Sequence, residues 1–454
     1  MEEIKYSDVV VAVDLGSRNI RGVIGHKNKE GKLDILRAIS VPSEGSIVNG
    51  VVINIDNAAL HIKQLIIKLR NLLNSLLNSS AEDPSLRISY DISNVYVGVH
   101  GRTIHGEVNE LSRLLSSEPV SEETIYSMEE ENKRMRVDAS HRILEVVPLE
   151  YVVDGMVVDD PVGCVCDNLR ARFLNIHGEN SVEDNLIKCF ERINSSSSPD
   201  AASNIRVTPH FVLSSRHLSD AVLSPGQKEL GCMLLDFGAQ TISLSIYHEN
   251  KLRYLHVFNF GSDLITQDIA SLKLPWRCAE KLKTSRYGLA MQSMVTEPLI
   301  LDVVVGEGVV REVQTDYLAG IIESRLTDFL ARITAAMTKS GYSSCLDSIV
   351  VVGGGAKQCN LIEKIEKETG IPTRFGDIRV LSNHTESEEF ADVSYASVMG
   401  IMMAAESGCV TIRESSDTRP KKSKKDANTG RIFPSLWGKL KGKVEGKVDE
   451  FFEE

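Results

Sequence analysis

The sequence predicts a mixed α/β protein in which one strand–turn–strand unit occurs twice and a glycine-rich junction follows. The first copy, over 9–25, reads VVVAVDLGSRNIRGVIG, and the second, over 230–252, reads LGCMLLDFGAQTISLSIYHENKL. In each copy a hydrophobic β-type run ends in Asp-x-Gly and a second β-type run returns after a short turn, which is the pattern of a β-hairpin. The third observation is DSIVVVGGGAKQCNL over 347–361, where a short strand leads into three glycines and a helix.

The turns of the two hairpins have the composition of phosphate-binding loops. Glycine at Gly16 and at Gly238 is expected to allow backbone angles that other residues avoid, so that main-chain N–H groups point at an anion. A hydroxyl follows each turn, from Ser17 in the first copy and from Thr241 in the second, and can donate to the same oxygens. Each turn is therefore predicted to bind phosphate.

A carboxylate ends the first strand of each hairpin, Asp14 in one copy and Asp236 in the other. A carboxylate beside a polyphosphate is expected to need a hydrated Mg²⁺ between the two negative groups, so both residues are predicted to hold the metal through water. Two such hairpins facing each other would clamp one nucleotide. A plain hairpin turn is the alternative for either copy alone, and the repetition favours the nucleotide.

The glycine junction is a weak signal alone, because it is not a Walker P-loop and Gln358 holds the last place of a would-be G-x-G-x-x-G motif. In the order hairpin, hairpin, glycine strand, the three motifs resemble the phosphate-one, phosphate-two and adenosine motifs of the actin, Hsp70 and sugar-kinase ATPase superfamily. The resemblance implies an actin-like ATPase fold of two RNase H-like domains that binds ATP and Mg²⁺. The nucleotide-binding residues expected from motifs and resemblance are Asp14, Gly16, Ser17, Arg18, Arg21, Asp236, Gly238, Gln240, Thr241, Glu280, Lys283, Gly353, Gly354 and Gly355.

Three of these charged residues have an ordinary alternative interpretation. Arg21 stands where actin-like proteins often carry a lysine that reaches the phosphates, but a solvated charge at a strand end fits as well. Glu280 and Lys283 lie in RCAEKLKTSRYG, which resembles the helix that covers the adenine and ribose in this superfamily. For that pair, the alternative is an i,i+3 ion pair on a helix surface.

No catalytic residue is evident. Relatives that hydrolyse ATP well place a polar side chain near the γ-phosphate, but the corresponding stretch offers only Ser214, Ser215 and His217, with no clear glutamine or glutamate. The second turn also carries Ala239 and Gln240 where many members have glycines. The resemblance therefore implies ATP binding with weak or no ATPase activity.

Composition limits the other classes of protein. The chain has 454 residues, of which 42% are hydrophobic, enough for two or more domains with their own cores. A formal net charge of −12 argues against a general nucleic-acid binder. The eight cysteines are scattered, and only Cys164 and Cys166 are close, so reduced thiols in a cytosolic compartment are expected. The acidic start MEEIKYSD lacks the layout of a signal peptide.

Local patterns predict the remaining elements. Residues 33–40 are predicted as a third strand, and 55–77 as a helix because their apolar residues recur at helical spacing. The acidic run 121–135 is predicted as a helix with Ser121 as its N-cap, and Asp154-Gly155 as a hairpin turn. Further helices are expected at 182–193, 264–272, 277–288 and 315–339, and a strand at 169–176. The stretch 206–220 is expected to lead to the second hairpin through a helix-like run, which ends at Leu223, and two β-type pieces are expected over 295–313.

The stretch 88–167 interrupts this superfamily pattern and predicts a small α/β insertion. Its segments SNVYVGVHG, HRILEVVPLEYVVDG and DPVG closely resemble the extra subdomain of the bacterial cell-division FtsA family, and an ordinary surface insertion is the alternative. The resemblance extends over roughly residues 8 to 410. It implies subdomain 1A at 1–87 and 168–205, inserted subdomain 1C at 88–167, subdomain 2A at 206–260 and 331–410, and subdomain 2B at 261–330, the last being where the family meets the C-terminal tail of FtsZ.

The C-terminal segment is predicted to bind a membrane surface. Residues 411–430 are almost free of apolar side chains and are predicted as a flexible linker, with a mean span of roughly 25 Å. Residues 431–454 form one apolar stripe when placed on a helix, with lysines flanking or opposite it, as in an interfacial amphipathic helix. A helix docked on the protein itself or on a partner is the alternative. The predicted membrane-binding residues are Phe433, Leu436, Trp437, Leu440, Val444, Val448, Phe451 and Phe452.

These expectations combine into one functional hypothesis. The FtsA resemblance implies a peripheral protein on the cytoplasmic face of the inner membrane that anchors FtsZ filaments at the septum and helps to assemble the division machinery. Its expected partners are the FtsZ tail, further copies of itself in filaments or oligomers, anionic lipids and later division proteins, with no nucleic acid. The alternative is another actin-superfamily ATPase, either a shape-determining or pilus-assembly filament protein or an enzyme of the kinase or chaperone type.

Overall fold

The computed structural model describes residues 5–78, 88–135, 137–196, 204–306, 309–382 and 388–413. The predicted linker from residue 414 onwards and all eight predicted membrane-binding residues lie outside these ranges. The chain divides into two compact units. The larger unit contains Met1–Thr103 and Ser181–Arg413, and the smaller, here called the inserted unit, contains Ile104–Asn180.

The described residues form twenty strands and ten α-helices, and the strands mostly come in runs separated by helices. The strands are β1 (Val10–Leu15), β2 (Asn19–Lys27), β3 (Leu33–Pro42), β4 (Ile47–Val48), β5 (Val51–Val52), β6 (Tyr90–Ile92), β7 (Asn94–Val99), β8 (His105–Pro119), β9 (His141–Val153), β10 (Met156–Val158), β11 (Val165–Glu179), β12 (Thr208–Leu213), β13 (Cys232–Phe237), β14 (Ile242–His248), β15 (Lys251–Phe258), β16 (Ile300–Gly306), β17 (Val309–Gln314), β18 (Ser348–Val352), β19 (Thr373–Phe375) and β20 (Val410–Ile412). The helices are α1 (Ile55–Leu77), α2 (Glu122–Lys133), α3 (Asn180–Ser195), α4 (Ser214–Val222), α5 (Pro225–Leu230), α6 (Ser262–Ala270), α7 (Trp276–Lys283), α8 (Thr315–Lys339), α9 (Leu361–Thr369) and α10 (Ala396–Met403).

The larger unit contains the same strand arrangement twice. In the first array the order is β12-β7-β1-β2-β3, with β1, β2 and β3 antiparallel and with β7 and β12 parallel to β1. In the second array the order is β15-β14-β13-β18-β19, again with an antiparallel meander followed by parallel strands. Each predicted Asp-x-Gly hairpin is therefore confirmed as the central pair of one array, β1 with β2 and β13 with β14.

Helices cover the two arrays through small residues and apolar faces. Helix α1 begins after Asn54, whose side chain accepts a hydrogen bond from the backbone N–H of Asn57, and its buried stripe includes Ile62, Leu65 and Leu69. In the second array, α8 buries residues such as Leu326 and Phe329 in one core with β13 and β14. Both arrays are thus rigid supports for the loops at their strand ends.

The inserted unit contains four antiparallel strands in the order β10-β9-β11-β8. Helix α2 joins the core of this sheet through Ile125 and Met128, and Ser121 caps it by accepting from the backbone N–H of Thr124, as predicted. Asp154 and Gly155 form the tight turn between β9 and β10, both with positive φ. The predicted small α/β insertion therefore exists.

The boundaries expected for this insertion, 88–167, are wrong. Strand β7 pairs in parallel with β1 and belongs to the first array, whereas β11 pairs with β8 and β9 inside the inserted unit. The compact unit accordingly runs over Ile104–Asn180. The expected start of subdomain 2A at 206 also differs, because β12 pairs in parallel with β7 of the first array.

Three local predictions also need correction. The helix-like run over 206–220 is a strand, β12, followed by the helix α4. Helix α8 is continuous across residue 330, where a subdomain boundary was expected. The expected linker begins within a strand, because Thr411 and Ile412 lie in β20, which pairs with β6. Among the helices in the described residues, none has both the length and the apolar character needed to cross a membrane.

Candidate functional site

A cavity of about 360 Å³ lies in the larger unit at the carboxyl ends of β1, β7, β13 and β18. The turns of both hairpins and the glycine junction line it. Parallel strands bring their carboxyl ends to one edge of a sheet, which is where ligands bind in open α/β folds. The pairing of β7 with β1 and of β18 with β13 therefore explains why these loops, distant in sequence, meet in one place.

Glycine is required at both turns because a Cβ atom there would come too close to a backbone carbonyl oxygen. A Cβ atom on Gly16 would lie 2.7 Å from the carbonyl oxygen of Asn19, and one on Gly238 would lie 2.7 Å from that of Thr241. Neither glycine has a positive φ, so the expectation of backbone angles forbidden to other residues is wrong. The same contact at both turns supports their origin as one repeated unit, because the carbonyl folds back over the glycine in each.

The three glycines of the junction differ in role. Gly353 has a φ of +92°, and a Cβ there would clash with the carboxylate of Asp236 and lie 2.7 Å from the carbonyl oxygen of Phe237. A Cβ on Gly355 would lie 2.8 Å from that same carbonyl oxygen. A Cβ on Gly354 would meet nothing within 4 Å, and Gly354 lines the cavity. The junction thus packs two glycines on β13 and leaves the backbone of the third open to a ligand.

The carboxylates at the two strand ends are held in different electrostatic environments. Asp14 is buried, and its Oδ1 lies 2.7 Å from Nε2 of His100. Burial favours the neutral acid, but the charge and hydrogen bond of His100, aided by Arg21, outweigh it and lower the pKa of Asp14. Burial would lower the pKa of His100, but the Asp14 carboxylate reverses this and raises it.

Asp236 is in an environment that is less favourable for a negative charge. Desolvation, with the nearby Asp14 carboxylate adding to it, raises the pKa of Asp236 to about 6, despite the opposing charges of His100 and Arg21. The two carboxylates therefore repel each other across the cavity at neutral pH. A cation between them would relieve this repulsion.

The second array supplies a partly buried ion pair at the side of the cavity. Nζ of Lys283 lies 2.9 Å from Oε2 of Glu280 and donates to Oγ1 of Thr266 at 2.8 Å. Lys283 is only 5% exposed. Its burial lowers its pKa in spite of Glu280. The i,i+3 ion pair considered from the sequence therefore forms, but it lies at the cavity with a buried lysine and not on the open helix surface.

Two residues of the turns make contacts between the arrays. The guanidinium of Arg18 donates to Oδ1 of Asp263 on α6 from both Nη2, at 2.6 Å, and Nε, at 3.1 Å. The side chain of Gln240 accepts from the backbone N–H of Asn49 at 2.9 Å and donates to Asp263 at 3.3 Å. Arg21 instead lies with its guanidinium 5.5 Å from the ring centroid of Tyr395.

The structure brings together the predicted nucleotide-binding residues at the cavity, except Gln240, which does not line it. Ser214, Ser215 and His217 do not line it either. Sequence reasoning missed His100, which follows β7 directly. His100 lies at the carboxyl end of β7, which is parallel to β1, and this brings it close to Asp14. The sequence prediction assigns this strand to the insertion and therefore does not place His100 at the site. Other lining residues missed are Asn19, Gly50, Thr284, Lys357, Ser394 and Ser397.

The donor set fits a metal that arrives with phosphates. Within the described part of the chain, no group of three or more His, Cys, Asp or Glu side chains is arranged to hold a metal ion alone. Mg²⁺ commonly binds through one or two carboxylates together with substrate phosphates and water. Asp14 and Asp236, facing one cavity that also contains an open glycine backbone, match that mode.

Comparison with known proteins identifies a family that this chain resembles. A family model described as "Cell division protein FtsA" matches residues 233–400, and one described as "SHS2 domain inserted in FTSA" matches residues 101–177. The cell division protein FtsA of Neisseria meningitidis serogroup B is 26% identical over 406 residues, which cover 87% of this chain and 90% of that protein. The FtsA of Escherichia coli K12 is 26% identical over 368 residues, 78% of this chain and 81% of that protein.

A solved structure confirms the fold. The PilM–PilN type IV pilus biogenesis complex matches with a TM-score of 0.57 at 13% identity, covering 87% of this chain and 97% of that chain. At this identity the match bears on the fold alone. The architecture is the mixed α/β actin-like fold, with an SHS2 domain inserted where the model of that domain matches.

Proposed function

We propose that this chain, which belongs to the FtsA family of cell division proteins, is a membrane-tethered, ATP-binding actin homologue that anchors FtsZ filaments to the cytoplasmic membrane at the division site. The observation that carries the nucleotide part is the convergence of both hairpin turns and the glycine junction on one cavity. The SHS2 insertion supports a division protein over a metabolic kinase of the same superfamily.

In this proposal each group lining the cavity has a separate task. The turns at Gly16 and Gly238 bind the phosphates with backbone N–H groups, and the open backbone of Gly354 approaches the rest of the nucleotide. Asp14 and Asp236 hold Mg²⁺ through water. When bound, the ion would supply positive charge beside both carboxylates and would favour the ionised form of Asp236, whose pKa is otherwise raised to about 6.

We expect slow ATP hydrolysis because the side chains that could orient an attacking water make hydrogen bonds to other protein groups. Of the residues that line the described cavity, the glutamine and glutamate candidates for orienting an attacking water are both engaged. The amide of Gln358 donates to the carbonyl of Gly288, and Oε2 of Glu280 accepts from Thr266 at 2.5 Å and from Lys283. We infer that ATP acts mainly as a bound ligand that sets the protein's conformation and self-association.

Titration of ATP into the purified protein with and without Mg²⁺ tests the site. We expect the wild type to bind more tightly with Mg²⁺, and Asp14→Ala and Asp236→Ala to lose mainly the Mg²⁺-dependent part. The carboxylates would be structural if each variant lost the same affinity in both conditions.

Co-sedimentation tests the tether. Full-length protein is mixed with anionic vesicles and an FtsZ C-terminal peptide, with and without Mg-ATP. The proposal expects the vesicles to carry down protein and peptide together, and deletion of 431–454 to abolish sedimentation of both. If neither binds vesicles while ATP is consumed on an added substrate, an enzyme of the same superfamily takes the place of the tether.

A further inference from the structure

The tips of the two hairpin turns are joined to each other through one carboxylate. Arg18, at the turn of the first array, donates two hydrogen bonds to Oδ1 of Asp263. Gln240, at the turn of the second array, donates to Oδ2 of the same residue at 3.3 Å. The backbone N–H of Asp263 in turn donates to the carbonyl of Ala239 at 2.7 Å, so this carboxylate is fixed to the second turn.

Further contacts extend this link beside the cavity. Nη2 of Arg18 lies 3.6 Å from Oε2 of Glu280, and its guanidinium lies 5.1 Å from the ring centroid of Trp276. Gln240 also accepts from the N–H of Asn49, at the β4–β5 turn of the first array. Both arrays therefore contribute a side chain that reaches the other, Arg18 in one direction and Gln240 in the opposite direction.

These contacts are non-covalent ties between the two arrays, which the chain also connects through α4–α5 and through the segment between β19 and α10. The side chains of Arg18 and Asp263 are 34% and 16% exposed, so the pair is partly shielded from solvent. Both hydrogen bonds from Arg18 are charge-assisted and end on one carboxylate oxygen of Asp263, and such bonds are stronger than hydrogen bonds between neutral groups. Arg18 and Glu280 line the cavity, so this link lies beside any nucleotide held between the two turns.

We propose that Arg18, Gln240 and Asp263 form a clasp that holds the two arrays closed at the turn tips and restricts nucleotide exchange, an inference that rests on the proposed binding of nucleotide in this cavity. Arg18 is then a positioning residue that binds Asp263. Its place in the turn suggests instead a ligand of the phosphates.

The two roles for Arg18 make opposite predictions for Asp263→Asn. If Arg18 holds the cavity closed, the substitution weakens the contact between Arg18 and residue 263 and lets the cavity open more often. Nucleotide then both binds and dissociates faster, by roughly tenfold, while the affinity changes less. If Arg18 binds phosphate, Asp263→Asn releases the guanidinium to the ligand, and dissociation becomes slower.

Stopped-flow measurement of a fluorescent ATP analogue with Mg²⁺ distinguishes these outcomes. Arg18→Gln, Asp263→Asn and the double variant should accelerate association and dissociation to the same extent, because each breaks the same contact. Unchanged or slower dissociation in Asp263→Asn overturns the clasp. Arg325→Gln is the matched control, since Arg325 makes a bidentate contact of 2.6 and 2.9 Å with Asp268 that joins α8 and α6 within the second array.

Hydrogen exchange tests the clasp without nucleotide. The N–H of Asn49, bonded to Gln240 of the other array, should exchange faster in Arg18→Gln and Asp263→Asn. The N–H of Gly50, bonded to Ser17 at 3.1 Å within the first array, should keep its protection. Unchanged exchange at Asn49 in both variants rules out a clasp. Failure of the wild type to bind ATP refutes the proposed function instead, and the exchange result still decides whether the arrays are tied.

Discussion

Glu129 is a buried acid outside the candidate site. It lies on α2 in the inserted unit and is 3% exposed. Burial raises its pKa from 4.5 to about 7, with Lys133 opposing and Glu130 adding to the shift. Its ionised form is therefore less stable in the folded protein than in the unfolded chain, and this residue should make stability depend on pH.

We predict that Glu129→Gln stabilises the protein at pH 8 and changes little at pH 4.5. Between the unfolded pKa near 4.5 and the folded pKa of about 7, the unfolded chain loses its proton first, so wild-type stability falls as pH rises through this window. A neutral glutamine removes that loss, worth on the order of 2 to 3 kcal/mol at pH 8. Urea unfolding of the full chain at both pH values measures it, with the exposed Glu123→Gln on the same helix as control. A gain of equal size at both pH values would contradict the assignment.

The sequence correctly predicted that several glycines lie at one place, because the backbone alone fixes their position. Gly16, Gly238 and the junction glycines follow strands whose pattern is clear, and they line the cavity. Gln240 was expected to contact the nucleotide, but its side chain contacts Asn49 and Asp263, which come from other parts of the chain. The direction of a polar side chain in a turn depends on such distant partners, and no local pattern encodes them.

At the scale of elements, the strand-to-helix junction after β18 offers a direct test. Gly353→Ala introduces a side chain at a φ of +92° and against Asp236, so we expect a loss of at least about 1 kcal/mol of stability and of ATP binding. Gly354→Ala meets no atom within 4 Å, so folding should be unchanged. If a nucleotide approaches this backbone, Gly354→Ala still weakens ATP binding.

Thermal unfolding and ATP titration of the two variants provide the measurement. The pair is matched in chemistry and adjacent in sequence, so a general intolerance of alanine in the junction would show in both. Lowered stability in Gly354→Ala, or normal ATP binding in Gly353→Ala, would contradict the geometry described for the junction.

Secondary-structure elements were predicted correctly where the sequence pattern is local. They were assigned to the wrong domain where pairing between distant strands decides their position. Helix α8 and the β1–β2 hairpin follow from periodicity and turn composition. Strand β7 has the same alternating texture whether it belongs to an insertion or to the first array, and only its parallel pairing with β1 assigns it. The same holds for β12, whose sequence has a helix-like pattern. The wrong assignment of β7 also explains why the sequence analysis missed His100.

At the scale of the whole molecule, the repeated strand order explains why one cavity forms from two turns. Each array presents its Asp-x-Gly turn at the carboxyl end of its central strand, β1 or β13. A single array would offer one phosphate loop, and two offer the opposed pair that the clasp of Arg18, Gln240 and Asp263 connects. Nucleotide exchange and the relative position of the arrays are therefore coupled in this proposal.

The remaining prediction concerns the C-terminal segment, where the sequence alone supports membrane binding. The chain has two tryptophans, so Trp276→Phe leaves Trp437 as the single reporter in this segment. We expect its fluorescence to shift to shorter wavelength with vesicles rich in anionic lipid, and the shift to weaken in neutral vesicles or high salt. Lysines near an anionic surface each contribute about 1 kcal/mol, and salt screens that attraction.

The same variant also tests the alternative of a helix docked on the protein. Gly438, Gly442 and Gly446 each cost about 1 kcal/mol within a helix, so a helix should form only where its apolar side chains are buried. Emission already shifted without vesicles, and unchanged on adding them, would indicate docking on the protein. Replacing Leu436 and Leu440 with glutamine should reduce the vesicle-induced shift while leaving ATP affinity intact, because neither residue is among the predicted nucleotide-binding residues.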